Sequence, residues 1–127
     1  MGKRILVIDD EEAIRKAFVL ALEDTAYQVD TAESGEKGIG MAKEANYDLI
    51  FLDLKMPGMN GVETLRELRK MDKDVPIYII TAFYEEFFEE LKGVEKDGID
   101  FEVLRKPFRS EQIVLTAKSM LNGPIGL

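Results

Sequence analysis

The most constraining stretch of this chain is an apolar run that ends in a single carboxylate and a turn. Residues 49–52 (LIFL) precede Asp53, and a Pro-Gly pair follows at positions 57–58. A short apolar run between turn signals predicts a strand that is buried on both faces. Asp53 would then lie where the strand ends and the loop begins, which is where ligands bind in open α/β sheets. We therefore interpret Asp53 as the central functional residue.

The rest of the chain alternates between short apolar runs and stretches with helical spacing. Strands are predicted near residues 5–8, 27–32, 49–53, 75–80 and 101–104, and helices near 11–23, 34–45, 60–71, 83–96 and 110–121. This alternation predicts parallel strands joined by right-handed crossovers. We expect a flavodoxin-like, doubly wound five-stranded parallel sheet of order 2-1-3-4-5, with helices on both faces. Residues 1–121 would form one domain, and residues 122–127, with two Gly and one Pro, a flexible tail.

The helix predicted over residues 83–96 carries an unusual number of aromatic residues. Its inward stripe is predicted to comprise Phe83, Phe87, Leu91 and Val94. Tyr84 and Phe88 lie beside that stripe and are better candidates for a partner surface. In the helix that follows, Ser110 is predicted to be the N-cap.

Composition excludes several classes of site. The chain has 17 basic and 25 acidic residues, a net charge of −8, which disfavours binding to duplex nucleic acid. It has no Cys and no His, so disulfides, thiolate or imidazole metal ligands and a phosphohistidine are excluded. No signal peptide or membrane-spanning run is present, and we expect a cytoplasmic protein without membrane association.

Polar residues follow four of the five predicted strands: Asp9, Asp10, Asp53, Thr81 and Lys106. Each has an ordinary structural explanation when taken alone, as a helix cap, a turn residue or a solvated lysine. In the predicted strand order, however, all of them reach one edge of the sheet. Clustered carboxylates repel one another, which raises a pKa or recruits a hard cation such as Mg²⁺. A carboxylate can also attack phosphorus to give an aspartyl-phosphate, and a cation and a hydroxyl can hold the phosphoryl oxygens.

These motifs resemble the receiver domains of bacterial two-component response regulators. The matching features are Asp9-Asp10, the stretch LDLKMPGMNG at residues 52–61, Thr81-Ala82 and Lys106-Pro107-Phe108. The resemblance covers roughly residues 3–121 and is greatest to stand-alone receivers of the sporulation-phosphorelay and chemotaxis types. It implies a phosphorylation switch that is not an enzyme beyond its own phosphorylation and dephosphorylation.

The resemblance also implies roles for individual residues. Asp53 would accept a phosphoryl group from a partner's phosphohistidine. Asp10 and Asp53 would bind Mg²⁺ directly, Asp9 through water, and Lys55 through its backbone carbonyl. Thr81 and Lys106 would bind the phosphoryl oxygens, and the Lys106–Pro107 peptide bond would be cis.

Partners are implied in the same way. A histidine kinase or histidine phosphotransfer protein would dock near Ile14, and a downstream protein would bind the surface of helix 4, strand 5 and helix 5. We expect no direct nucleic acid contact and a monomer that can dimerise on phosphorylation. One departure concerns position 103, where Val103 replaces the aromatic residue usual in the family. Phe101 and Phe83 are candidates to substitute for it.

Alternative functions stay open at this point. The chain could be the receiver of a longer transcriptional regulator. A phosphatase with an aspartyl nucleophile commonly needs a second acid two residues later, where this chain has Lys55. A flavin- or nucleotide-binding protein needs a phosphate loop after strand one, but residues 9–12 (DDEE) would repel a phosphate.

Overall fold

The computed structural model describes residues 2–72 and 74–122 and contains a five-stranded sheet with five helices around it. The strands are β1 (Arg4–Ile8), β2 (Gln28–Ala32), β3 (Leu49–Asp53), β4 (Ile77–Thr81) and β5 (Glu102–Arg105). The helices are α1 (Glu12–Leu22), α2 (Gly35–Glu44), α3 (Gly61–Met71), α4 (Phe88–Lys96) and α5 (Ser110–Asn122). The strand order is β2-β1-β3-β4-β5, and every neighbouring pair is parallel, which confirms the predicted architecture.

The central strand β3 is buried at all five positions, as its apolar run predicts. Successive side chains of a strand point to opposite faces, so β3 contributes to two separate cores. Ile50 and Leu52 pack in the cluster with α3 and α4, whereas Leu49 and Phe51 pack in the cluster with α1 and α5. Burial of apolar area on both faces stabilises the strand by about 25 cal/mol per Å².

Side-chain caps set the start of two helices at the predicted residues. The Ser34 hydroxyl accepts a hydrogen bond from the Lys37 backbone N–H at 3.1 Å, at the start of α2. Asn60 and Glu63 form a reciprocal capping box at the start of α3, with both hydrogen bonds at 2.9 Å. These contacts satisfy backbone donors that have no partner within the helix.

The start of the fourth helix differs from the prediction. A 3-10 turn at Glu85–Phe87 precedes α4, which begins at Phe88. Phe87, Leu91 and Val94 are buried as predicted, but Phe83 lies before the turn and is 42% exposed. The predicted inward position of Phe83 is therefore wrong, because a 3-10 turn has three residues per turn and breaks the helical spacing.

The two ends of the last helix also differ. Ser110 is the first helical residue and not a cap before it, and the Arg109 N–H donates to Gln112 Oε1 at 2.7 Å. The predicted tail began at residue 122, but α5 extends through Asn122, whose Oδ1 accepts a hydrogen bond from Tyr27 Oη at 3.1 Å. Residues 123–127 of that predicted tail lie outside the described residues. None of the helices in the described part of the chain is long and apolar enough to cross a bilayer.

Candidate functional site

The carboxyl ends of four strands meet at one edge of the sheet. The register pairs Ile8 with Leu52, Asp53 with Ile80, and Thr81 with Arg105. The residues that end or immediately follow these strands therefore lie side by side, as the strand order predicts. They are Asp9, Asp10, Asp53, Thr81 and Lys106.

Three carboxylates converge at this edge. One oxygen from each of Asp9, Asp10 and Asp53 lies within 4.8 Å of the other two. Asp9 and Asp53 are almost fully buried, whereas Asp10 is exposed. Backbone donors orient the buried pair: the Glu11 N–H donates to Asp9 Oδ1 and the Leu54 N–H to Asp53 Oδ1, both at 2.9 Å. The cluster is thus open to solvent at Asp10, whereas Asp9 and Asp53 are buried and held by backbone hydrogen bonds.

Lys106 brings a cation to the cluster from the end of β5. Its Nζ lies 3.0 Å from Asp9 Oδ2, 3.1 Å from Glu11 Oε1 and 3.6 Å from Asp53 Oδ1. Burial favours neutral lysine, but the hydrogen bond from Lys106 to Asp9 and the nearby negative charges of Asp53 and Asp9 outweigh it and raise the pKa of Lys106. The ammonium therefore stays charged. The Lys106–Pro107 peptide bond is cis, as the resemblance implied.

The positive charge of Lys106 does not offset the burial of Asp53 and the negative charges beside it. Burial and the neighbouring Asp9 raise the pKa of Asp53 to about 7, although Lys106 opposes this shift. Burial likewise raises the pKa of Asp9, against the hydrogen bonds from Glu11 and Lys106. A hard divalent cation with oxygen ligands would relieve this repulsion. Three converging carboxylates, two of them buried, therefore fit a Mg²⁺ site.

Two further predicted site residues flank Asp53. Thr81 is fully buried, and its Oγ1 accepts a hydrogen bond from the Phe83 N–H at 2.8 Å. The Lys55 side chain is exposed. Its Nζ lies 3.2 Å from Glu86 Oε1 and 4.4 Å from the centroid of the Phe83 ring. Phe83, which the helical spacing placed in the core, is instead exposed and lies against the Lys55 side chain in the loop after β3.

Two residues at the site were not predicted from the sequence. Glu11 accepts a hydrogen bond from Lys106, and Arg15 Nη1 donates to the backbone carbonyl of Asp9 at 2.8 Å. Their positions near Asp9 in the chain are the only available signal, since charged residues are common on the solvent-facing side of surface helices. At the departure from the family pattern, Val103 pairs with Ile79 and packs against the cluster that contains Leu52.

Comparison with known proteins identifies the family. The model of the response regulator receiver domain matches residues 5–118. The chain is 43% identical to the transcriptional regulatory protein ResD of Bacillus subtilis, over 93% of this chain and 48% of that protein. It is 36% identical to the alkaline phosphatase synthesis transcriptional regulatory protein PhoP of the same organism, over 95% of this chain and 49% of that protein. The chain thus spans about half the length of these curated relatives.

Solved structures agree with the family match. The response regulator TrrA of Thermotoga maritima, in complex with Mg²⁺-BeF, has a TM-score of 0.78 at 37% identity and covers 94% of this chain and 99% of its own. The chemotaxis protein CheY4 of Vibrio cholerae has a TM-score of 0.83 at 29% identity and covers 95% of this chain and all of its own. Sequence, fold and strand-end carboxylates agree, and this chain belongs to the family of response regulator receiver domains, the signalling switches of two-component systems.

Proposed function

We propose that Asp53 is the phosphoryl acceptor of this receiver domain and that a partner's phosphohistidine is the donor. An Asp53 carboxylate oxygen attacks the phosphorus, the P–N bond breaks, and the departing imidazole keeps the electron pair and takes up a proton. The observation that carries the proposal is the convergence of Asp9, Asp10 and Lys106 on Asp53 at the end of a buried strand. The fixed strand end orients the nucleophile, so little reorganisation is needed for transfer.

The residues around Asp53 are suited to hold the charge that arrives with the phosphoryl group. Asp9, Asp10, Asp53 and the backbone carbonyl of Lys55 would hold Mg²⁺, which when bound neutralises charge on the phosphoryl oxygens. The Lys106 ammonium, 3.6 Å from Asp53 Oδ1, supplies a second positive charge. The Thr81 hydroxyl gives up the Phe83 N–H and binds a phosphoryl oxygen. Phosphorylation thereby moves the segment that leads into α4.

Labelling with a small acyl phosphate tests this proposal, because the domain's own residues then supply all of the catalysis. In the presence of Mg²⁺, intact-protein mass spectrometry should detect the addition of one phosphoryl group. Asp53→Asn should not be labelled, whereas the matched control Asp24→Asn, at an exposed carboxylate, should be labelled like the wild type. Equal labelling of Asp53→Asn would contradict the assignment.

As a receiver domain, this chain interacts with a kinase and with a downstream target. We propose one contact surface for each. A histidine kinase or phosphotransfer protein docks on α1 near Ile14, which is half-buried beside the site. The output partner binds the face formed by α4, β5 and α5, where Phe88 is 38% exposed and Tyr84 packs edge-on against it at 5.8 Å. Residues 1–121 form the receiver unit. This unit acts as a monomer before phosphorylation.

A second candidate is that this receiver is the regulatory half of a longer transcriptional regulator. The observation that favours it is the coverage of ResD and PhoP, of which the chain matches 48% and 49%. An immunoblot of source cells with an antibody against residues 1–121 separates the two candidates. A band near 14.4 kDa supports a stand-alone switch that acts through protein contacts, and a band of about twice that mass supports the longer regulator.

A further inference from the structure

The acidic residue after the aspartate pair contacts the lysine of the site directly. Lys106 Nζ is 3.1 Å from Glu11 Oε1 and 3.0 Å from Asp9 Oδ2, but 3.6 Å from Asp53 Oδ1. The ammonium is therefore hydrogen-bonded to Asp9 and Glu11 and lies farther from the proposed acceptor. The geometry points to Glu11 as a positioning residue that holds Lys106 back from Asp53 until the phosphoryl group arrives.

The backbone of Glu11 is fixed, so its side chain has a defined reach to Lys106. The Glu11 N–H donates to Asp9 Oδ1, and the Glu11 carbonyl accepts from the N–H groups of Ile14 and Arg15 at the start of α1. The residue thus lies between the strand-end carboxylates and the first helical turn. Its carboxylate can contact Lys106 without any rearrangement of the backbone.

Differences in burial decide which ion pair of Lys106 can be exchanged. The Asp9 side chain is fully buried, whereas the Glu11 side chain is 60% exposed. Release of Asp9 would leave its buried carboxylate with the Glu11 N–H but without a paired cation, which is costly. Release of Glu11 returns a carboxylate to water, and exposed ion pairs are weak. Lys106, whose side chain is 11% exposed, therefore exchanges Glu11 and keeps Asp9.

The inference rests on the proposed acceptor role of Asp53 and adds an exchange step to it. When Asp53 carries a phosphoryl group, Lys106 gives up Glu11 and pairs with a phosphoryl oxygen. Glu11 favours the unphosphorylated arrangement and thus opposes the switch. Loss of the Glu11 charge should consequently strengthen binding of any group that mimics the phosphoryl on Asp53.

Beryllofluoride titrated calorimetrically at saturating Mg²⁺ tests this step, and the Mg²⁺ affinity of each variant is measured first. Glu11→Gln should bind beryllofluoride about two- to fivefold more tightly than the wild type, the range expected for an exposed ion pair. Glu12→Gln is the matched control, since Glu12 is an exposed neighbour that pairs with Lys16 at 2.8 Å. It should bind with wild-type affinity.

A double-mutant cycle separates the contact with Lys106 from a general charge effect. In a Lys106→Met background, where the side-chain stem is retained, Glu11→Gln should leave the beryllofluoride affinity unchanged. If the wild type binds beryllofluoride, two results overturn the inference. One is an equal gain in affinity from Glu11→Gln in the Lys106→Met background. The other is no gain from Glu11→Gln when Lys106 is present. Failure of the wild type itself to bind overturns the acceptor role of Asp53 and this inference together.

Discussion

The carboxylate of Asp53, the proposed acceptor, is held in a position that makes its negative charge unfavourable without a bound cation. Burial and Asp9 raise the pKa of Asp53 from 3.8 to about 7. The folded state therefore binds this proton more tightly than the unfolded state, so stability from Asp53 is greatest below about pH 4 and is lost as the pH rises to 7. We expect Asp53→Asn to increase the free energy of unfolding by about 1–3 kcal/mol at pH 8 in EDTA.

Urea unfolding at pH 5 and pH 8 measures this effect. The gain should be smaller at pH 5, where Asp53 is mostly protonated in the wild type. Asp24→Asn makes the same chemical change at an exposed position and should alter stability by less than about 0.5 kcal/mol at both pH values. A destabilised Asp53→Asn at pH 8 would show that its charge is favourable in the fold.

Access of water to Asp53, the proposed phosphorylation site, is a second property that single residues would set. Lys55 and Phe83 each lie two residues beyond a site residue, and they contact each other with Nζ 4.4 Å from the ring centroid. Glu86 holds the lysine in place at 3.2 Å. We predict slow hydrolysis of the aspartyl-phosphate, and a roughly tenfold faster decay in the Lys55→Ala, Phe83→Ala double variant, equivalent to ~1.4 kcal/mol.

Decay of the phosphoryl label after removal of the acyl phosphate gives this rate. The control replaces a lysine and an exposed phenylalanine away from the site, Lys70→Ala with Phe88→Ala. Its decay should match that of the wild type. If the double variant at the site also decays at the wild-type rate, these two side chains do not limit the attack of water.

The residues at strand ends were predictable from the sequence, but the contact from Glu11, at the cap of α1, was not. Asp9 and Asp53 come at the ends of apolar runs and Lys106 directly follows the short strand β5, so parallel strand order alone brings them to one edge. The contact of Glu11 with Lys106 joins residues 95 positions apart. This contact depends on the length and rotamer of both side chains, and the local sequence pattern does not predict a rotamer.

Close packing at the start of α3 couples this helix to the end of β3. The Gly61 N–H donates to the Leu54 carbonyl at 2.8 Å, and a Cβ at Gly61 would collide with the backbone of Asp53 and Leu54. We expect Gly61→Ala to lower the free energy of unfolding by at least about 2 kcal/mol, because overpacking against backbone cannot be relieved by a rotamer change.

A second glycine in the same fold provides the comparison. A Cβ at Gly40, in α2, would have no neighbour within 4 Å. Gly40→Ala should therefore raise the free energy of unfolding by about 0.5–1 kcal/mol through helix propensity. Thermal unfolding followed by circular dichroism measures both variants. Similar midpoints for the two would contradict the close approach at Gly61.

Helical spacing predicted the elements well and failed at one boundary. Phe87, Leu91 and Val94 are buried at helical spacing, yet extending the pattern back by one turn placed Phe83 in the core incorrectly. The Thr81 hydroxyl accepts from the Phe83 N–H and turns the chain before the helix begins. Hydrogen bonds from a side chain to the nearby backbone commonly replace helical hydrogen bonds in this way. This one is made by Thr81, the proposed switch residue.

At the scale of the molecule, alternation of strands and helices was sufficient for the class of fold. The contacts that join distant segments were not predictable in the same way. Arg69 is buried, and its guanidinium donates to the carbonyls of Val75 at 2.6 Å and Asp100 at 2.8 Å. This one side chain from α3 fixes the start of β4 and the loop before β5. From the sequence, an arginine near the end of a helix is expected to be exposed to solvent, and only the tertiary structure shows that Arg69 is buried.

The net charge of −8 makes the whole domain sensitive to cations, and this must be separated from binding at the site. Any salt screens self-repulsion and stabilises the fold slightly, whereas an ion bound only in the folded state stabilises by mass action. At a Mg²⁺ concentration of about 100 times the dissociation constant, the gain is about 2.7 kcal/mol. We therefore expect MgCl₂ to raise the unfolding midpoint at pH 8 by several degrees more than NaCl at equal ionic strength.

The same comparison in the Asp53→Asn variant assigns the difference to the carboxylate cluster. Asn keeps the shape of the side chain but removes one of the three charges that lie within 4.8 Å of one another. The variant should respond equally to MgCl₂ and NaCl, because only screening remains. An excess response to Mg²⁺ that persists in Asp53→Asn would locate the bound cation elsewhere on the acidic surface. An excess confined to the wild type ties the stability of the whole domain to the site at the end of β3.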